Sequence, residues 1–90
     1  MKYNRKKILI NLKKAKSILE KIIEMTEKDA YCIDIMQQNL AVIGLLKSAH
    51  EMLMKDHLNT CFKSAMASKS QAKQKRMIEE ILKVTRLYNK

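Results

Sequence analysis

Three side chains with soft metal-binding atoms stand out in this chain: Cys32, His57 and Cys61. They include both cysteines and one of the two histidines. His57 and Cys61 are four residues apart, a spacing that puts both on one face of an α-helix. Cys32 lies 29 residues before Cys61, roughly 43 Å along a straight helix at 1.5 Å per residue. One chain therefore does not bring all three together. An antiparallel copy of the same helix does, because its Cys32 falls beside the first copy's Cys61. Two such helices related by a two-fold axis make two equivalent sites, each drawing on both chains.

Two thiolates and one imidazole form a soft set of three donors, which suits the low coordination number of Cu(I). Structural Zn(II) asks for a fourth protein ligand, for which Asp34, Asp56 or water are the candidates. Square-planar Ni(II) asks for more nitrogen donors, and the N-terminal segment has no histidine. The spacing alone fits a plainer reading equally well: two buried structural thiols and a core histidine. His50 is seven residues before His57, roughly 10 Å away along the axis, and reads as a surface or packing residue. No catalytic pattern accompanies these residues. There is no Gly-rich phosphate loop and no serine nucleophile motif. Cys32 and a second chain's imidazole make the one nucleophile–base pair that can be drawn, and nothing supplies an oxyanion hole for it.

The elements that position these groups are helices. Apolar residues recur at helical spacing at Ile8, Leu12, Ala15, Ile18/Leu19, Ile22 and Met25, and again at Ile35/Met36, Val42, Leu46, Ala49 and Leu53. A third, shorter pattern runs through Met77, Ile78, Ile81, Leu82, Val84 and Leu87. With one Gly, no Pro and no strand-like alternation, the class is all-α. The expectation is one domain over residues 1–90, with helices at about 3–28, 30–61 and 70–88. Asp29 is placed to N-cap the second helix. The short link before that helix implies an antiparallel hairpin. Gly44, in the middle of the second helix, is read as a point of close approach between two backbones. The stretch 67–74 reads as a connection or a helix start.

Nineteen Lys and Arg against nine Asp and Glu give a net charge of +10, which suits a polyanionic partner such as nucleic acid. Basic residues cluster at Lys2, Arg5, Lys6 and Lys7, and again at Lys13, Lys14 and Lys16. No 18-residue apolar run or signal peptide is visible, so the expectation is a cytoplasmic protein with no membrane partner. In a reducing compartment two cysteines are thiols or metal ligands more often than a disulfide. A thin 90-residue core favours a homo-oligomer.

The run Y-C-I-D-I-x-x-Q-x-x-A-V-x-x-L-L from Tyr31, followed by D-H-L-x-x-C from Asp56, resembles the copper-sensing operon repressors and their nickel, formaldehyde and persulfide relatives. The resemblance is ungapped over this stretch. It implies a four-helix-bundle dimer of the first two helices that pairs into a tetramer. It implies Cu(I) bound by Cys32 of one subunit with His57 and Cys61 of another, and operator DNA bound by the metal-free protein. The basic residues implied for DNA are Arg5, Lys6, Lys13, Lys14, Lys16 and Lys47. Around the metal, the family uses the Tyr before the first Cys and a Glu in the third helix. Tyr31 is present; Met77 holds the position of that Glu, with Glu79 and Glu80 nearby. Asn11 and Ile43 stand where the family commonly has Arg. The expected function is a Cu(I)-responsive repressor. The alternatives are a persulfide sensor that links Cys32 and Cys61, and a copper-binding helical oligomer without a specific operator.

Overall fold

The computed structural model describes residues 5–90. Helix α1 spans Arg5–Glu27, α2 spans Cys32–His57, a π-helical turn spans Leu58–Phe62, α3 spans Lys63–Ala67 and α4 spans Gln71–Tyr88. No strand occurs among the described residues, as the apolar spacing requires. His57 and Lys63, at the two joints of the π turn, keep right-handed helical angles (φ −61°, ψ −44° and φ −59°, ψ −44°). The second helical segment therefore persists to Ala67, six residues beyond the expected end, with the π turn inside it. The expected first helix starts earlier than Arg5, and that start, like the basic Lys2, lies outside the described residues. The chain divides into two compact units, one ending at Asp56 and one spanning His57–Lys90.

In the first unit, α1 and α2 form an antiparallel hairpin. A groove of about 730 Å³ is lined by Ile10, Lys13, Lys14, Ser17 and Ile18 of α1 and by Ala41 and Leu45 of α2. Ile8, Ala15, Val42 and Ala49 are buried, and they are the positions that the helical spacing selects. Two helices cannot cover all their apolar residues, however. Leu12, Leu19, Met36 and Leu46, from the same stripes, remain exposed, as do Ile23 and Leu40.

The hairpin corner corrects one expectation. Asp29 does not cap α2. It takes a left-handed conformation (φ 54°) at the end of α1. Ala30 N–H donates to Met25 O (2.9 Å) and Asp29 N–H to Thr26 O (3.2 Å). This is the Schellman pattern, which satisfies the last carbonyls of a helix and usually places Gly at the left-handed position. Asp is among the few other residues that tolerate it. The start of α2 is organised instead by the Tyr31 carbonyl, which accepts from Asp34 (3.0 Å) and Ile35 (3.2 Å). We expect Asp29→Ala to cost about 1 kcal/mol, because Ala keeps the Cβ penalty of the left-handed region and loses the polar side chain that offsets it. Chemical denaturation at fixed protein concentration measures this.

Gly44 corrects another. Nothing lies within 4 Å of a Cβ built on Gly44, and its φ is not positive. No backbone of its own chain crowds it. In an isolated chain, Gly44→Ala should therefore stabilise α2 by about 1 kcal/mol through helix propensity alone. A loss of stability that appears only at concentrations where the protein associates would place Gly44 at a contact between copies.

In the second unit, Ala65 is fully buried. The corner between α3 and α4 is held by side chains. Ser68 Oγ donates to Ala65 O (2.7 Å), and the Gln74 carboxamide donates to Ser68 O (2.8 Å) and Met66 O (3.3 Å). Ser70 N-caps α4, its Oγ accepting from Lys73 N–H (3.2 Å). These bonds satisfy the orphan groups of two helix ends within three residues. Among the described residues no helix is long and apolar enough to cross a membrane.

Candidate metal centre

Cys32 is the first residue of α2 and is exposed. Its position follows from the Tyr31 carbonyl cap, which starts the helix there. His57 is the last residue of α2 and is half-buried. Cys61 lies in the π turn and is also half-buried. Both cysteines are free thiols. His57 and Cys61 are thus separated by a π turn in place of the regular α turn assumed from their spacing. Such single turns are wider, and they occur frequently at functional sites. The Thr60 hydroxyl lies 3.9 Å from Cys61 Sγ as a long donor contact.

His57 Nε2 lies 3.1 Å from the Met77 sulfur. Met77 is one of the apolar-stripe residues of α4, and sequence reasoning gave it only a packing role. Its place at the family's Glu position was the one available signal. Glu79 and Glu80 are exposed on α4. Tyr31 is 68% exposed, and its carbonyl, not its ring, is the group seen to act locally. Asp56, beside His57 in sequence, is only 2% exposed. No buried side-chain polar atom among the described residues lacks a hydrogen-bond partner. A buried and partnered carboxylate reads better as a structural group than as an open ligand. His50 is half-buried in α2.

Among the described residues, no three His, Cys, Asp or Glu side chains of one chain are placed to hold a metal ion. What the chain offers is an imidazole and a thiol on one turn of the second unit, and a separate exposed thiol at the start of α2. All three atoms are soft or borderline donors with no mutual disulfide, so they fit a soft, low-coordinate ion.

The basic residues occupy exposed positions: Arg5, Lys6, Lys13, Lys14 and Lys16 on α1, and Lys47 on α2. Lys13 and Lys14 also border the α1–α2 groove.

Residues 4–86 match the family of metal-sensitive transcriptional repressors. The chain belongs to this family. Metal-sensitive repressors similar to it include the copper-sensing transcriptional repressor CsoR of Mycobacterium ulcerans (strain Agy99), 42% identical over 64 residues, which cover 70% of this chain and 55% of that protein. The copper-sensing repressor RicR of Mycobacterium tuberculosis (strain H37Rv) is 30% identical over 76 residues, 84% of this chain and 79% of that protein. CsoR of Bacillus subtilis (strain 168) is 32% identical over 79 residues, 88% and 75% of the two chains. The chain spans about half the length of the mycobacterial CsoR relatives it matches. A crystal structure of the copper-sensing repressor CsoR with Cu(I) from Geobacillus thermodenitrificans NG80-2 has the same fold, with a TM-score of 0.84 at 24% identity over 100% of this chain and 91% of that one.

Proposed function

We propose that this metal-sensitive repressor responds to Cu(I), with Cys32 of one subunit and His57 and Cys61 of another as the ligands. The observation that carries the reading is the division of the donor set. Two donors share one helical turn, the third opens a different part of the chain, and no three donors converge within one chain among the described residues. Bound Cu(I) supplies bonds that tie donors of two chains together. The chain's own residues prepare for this. The π turn sets the spacing of His57 and Cys61, and the exposure of Cys32 leaves its thiol accessible to a second copy.

The assembly is a homodimer of hairpins pairing into a homotetramer, with residues 1–90 acting as one metal-sensing, DNA-binding domain. Leu40 at 65% exposure and Ile23 at 53% are typical of the apolar surface left uncovered on α1 and α2. A contiguous apolar face of this kind marks an interaction surface, and self-association covers both hairpins at once. The protein acts in the cytoplasm, where its thiols stay reduced. The metal-free assembly holds operator DNA through Arg5, Lys6, Lys13, Lys14, Lys16 and Lys47, and the Cu(I) form holds it less tightly. The ligand lowers DNA affinity only by as much as it binds the two quaternary states differently.

The test is anaerobic. Duplexes bound by the metal-free protein are selected from a random library, and the selected sequence is assayed by mobility shift with and without Cu(I). The expected result is a specific complex that Cu(I) weakens by about 5–150-fold, the usual range of such couplings. A specific complex indifferent to Cu(I) but released by persulfide would favour a thiol sensor. The absence of any specific complex would leave a copper-binding oligomer.

A further inference from the structure

Met77 is the side chain set against His57. Its thioether sulfur lies 3.1 Å from His57 Nε2, and both residues are half-buried. The contact belongs to the second unit. The Ser68–Ser70 corner, clamped by Gln74, reverses the chain so that α4 brings Met77 back to a residue twenty positions earlier.

The chemistry of the two atoms decides which way the imidazole is protonated. A neutral imidazole carries one N–H and one bare nitrogen. A thioether carries no proton and is a weak acceptor. A bare Nε2 would face sulfur lone pairs with nothing between them, which is repulsive at this distance. A protonated Nε2 donates to the sulfur. Nδ1 is then the bare nitrogen, and in a ring with two distinct nitrogens the hydrogen bond made by one determines which is left to bind a metal.

We propose that Met77 is a positioning residue for His57. By accepting the Nε2 proton it holds the ring and selects the tautomer whose Nδ1 is free to ligate. Outer partners of metal-bound histidines are ordinarily carboxylates, carbonyls or waters, and the first of these brings negative charge to the site. A thioether orients the ring without that charge. The role in metal binding rests on the reading of His57 as a ligand. The choice of tautomer does not, because it is a property of the metal-free chain.

The experiment uses the full chain labelled with ¹⁵N histidine and free of metal, at a pH about two units above the ordinary imidazole value of ~6.5. Long-range ¹H–¹⁵N correlations report which ring nitrogen carries the proton, and His50→Gln assigns the two rings. In the parent, His57 is expected as the Nε2–H form. Met77→Leu nearly conserves volume and removes the acceptor. It should populate the Nδ1–H form and lower Cu(I) affinity about 10-fold, at the low end of losses seen for outer partners. Met77→Gln, with an amide oxygen to accept the proton, should restore both. The proposal is overturned if the parent carries its proton on Nδ1, or if Met77→Leu leaves the tautomer unchanged, whatever Cu(I) does. It is also overturned if X-ray absorption of the Cu(I) form shows a third sulfur that Met77→Leu removes, because Met77 would then be a direct ligand. A tautomer shift in a protein whose parent form does not bind Cu(I) would uphold the contact and refute the metal reading.

Discussion

Replacing Cys32 with Ala is expected to abolish tight Cu(I) binding while leaving the chain folded. Cys32 is exposed at the first position of α2, so the substitution removes little packing. Ala is also the best helix former. The loss should exceed the roughly 10–100-fold that removing an outer partner of a metal ligand costs, because a thiolate donor disappears outright. His57→Ala and Cys61→Ala should each do the same. Competition against a Cu(I) chelator under anaerobic conditions measures the change, and the parent should bind one Cu(I) per chain. A mixing experiment goes further. Neither Cys32→Ala nor Cys61→Ala has a complete site as a homo-oligomer. A mixed dimer pairs the intact Cys32 of one variant with the intact His57 and Cys61 of the other. It therefore regains one site in two. Recovered binding on mixing is the signature of a site shared between subunits. If either variant alone binds as tightly as the parent, that residue is not a ligand. If mixing restores nothing, the three donors do not combine across two chains.

The double substitution Lys13→Ala, Lys14→Ala is expected to weaken binding to every DNA sequence tried. Both side chains are exposed on α1 and border the groove shared with α2. Lysine offers a point charge without the planar fork of arginine, so its main contribution is attraction to phosphate. Each phosphate that is no longer neutralised should flatten the dependence of log K on log salt by about 0.9. Removing both lysines should therefore reduce the slope by nearly 2, with the largest drop in affinity at low salt. The ratio of specific to non-specific affinity should change little. With Asn11 and Ile43 where relatives commonly carry arginine, that ratio should already be low. Fluorescence anisotropy across a salt series gives affinity and slope together. A variant that binds as the parent does would move the DNA surface off this part of α1. A parent with no salt-dependent binding would remove DNA from the account altogether.

Helical class, the hairpin and the rough ends of the long helices are determined locally. The apolar spacing through Ile8, Ala15, Val42 and Ala49 selects positions that are buried in the structure. The donor residues were equally legible, because their element types and their spacing are properties of the chain itself. Family membership follows from the run that begins at Tyr31 and ends at Cys61, and the match over residues 4–86 agrees with it.

Tertiary structure decided what depends on neighbours and on fine backbone geometry. Asp29 carries both a capping carboxylate and tolerance of the left-handed region, and only the hydrogen bonds of Ala30 and Asp29 back to α1 show which property is used. Gly44 marks either a close approach or a propensity cost, and the open space around it shows that no segment of its own chain is near. The π turn at Leu58–Phe62 has no composition signature, since one extra residue per turn is a small backbone difference set by packing. Met77 looked like any other apolar residue on the α4 stripe. Its sulfur meets His57 because the Ser68–Ser70 corner turns α4 back along the chain, and no periodicity within α4 encodes where that corner sends it.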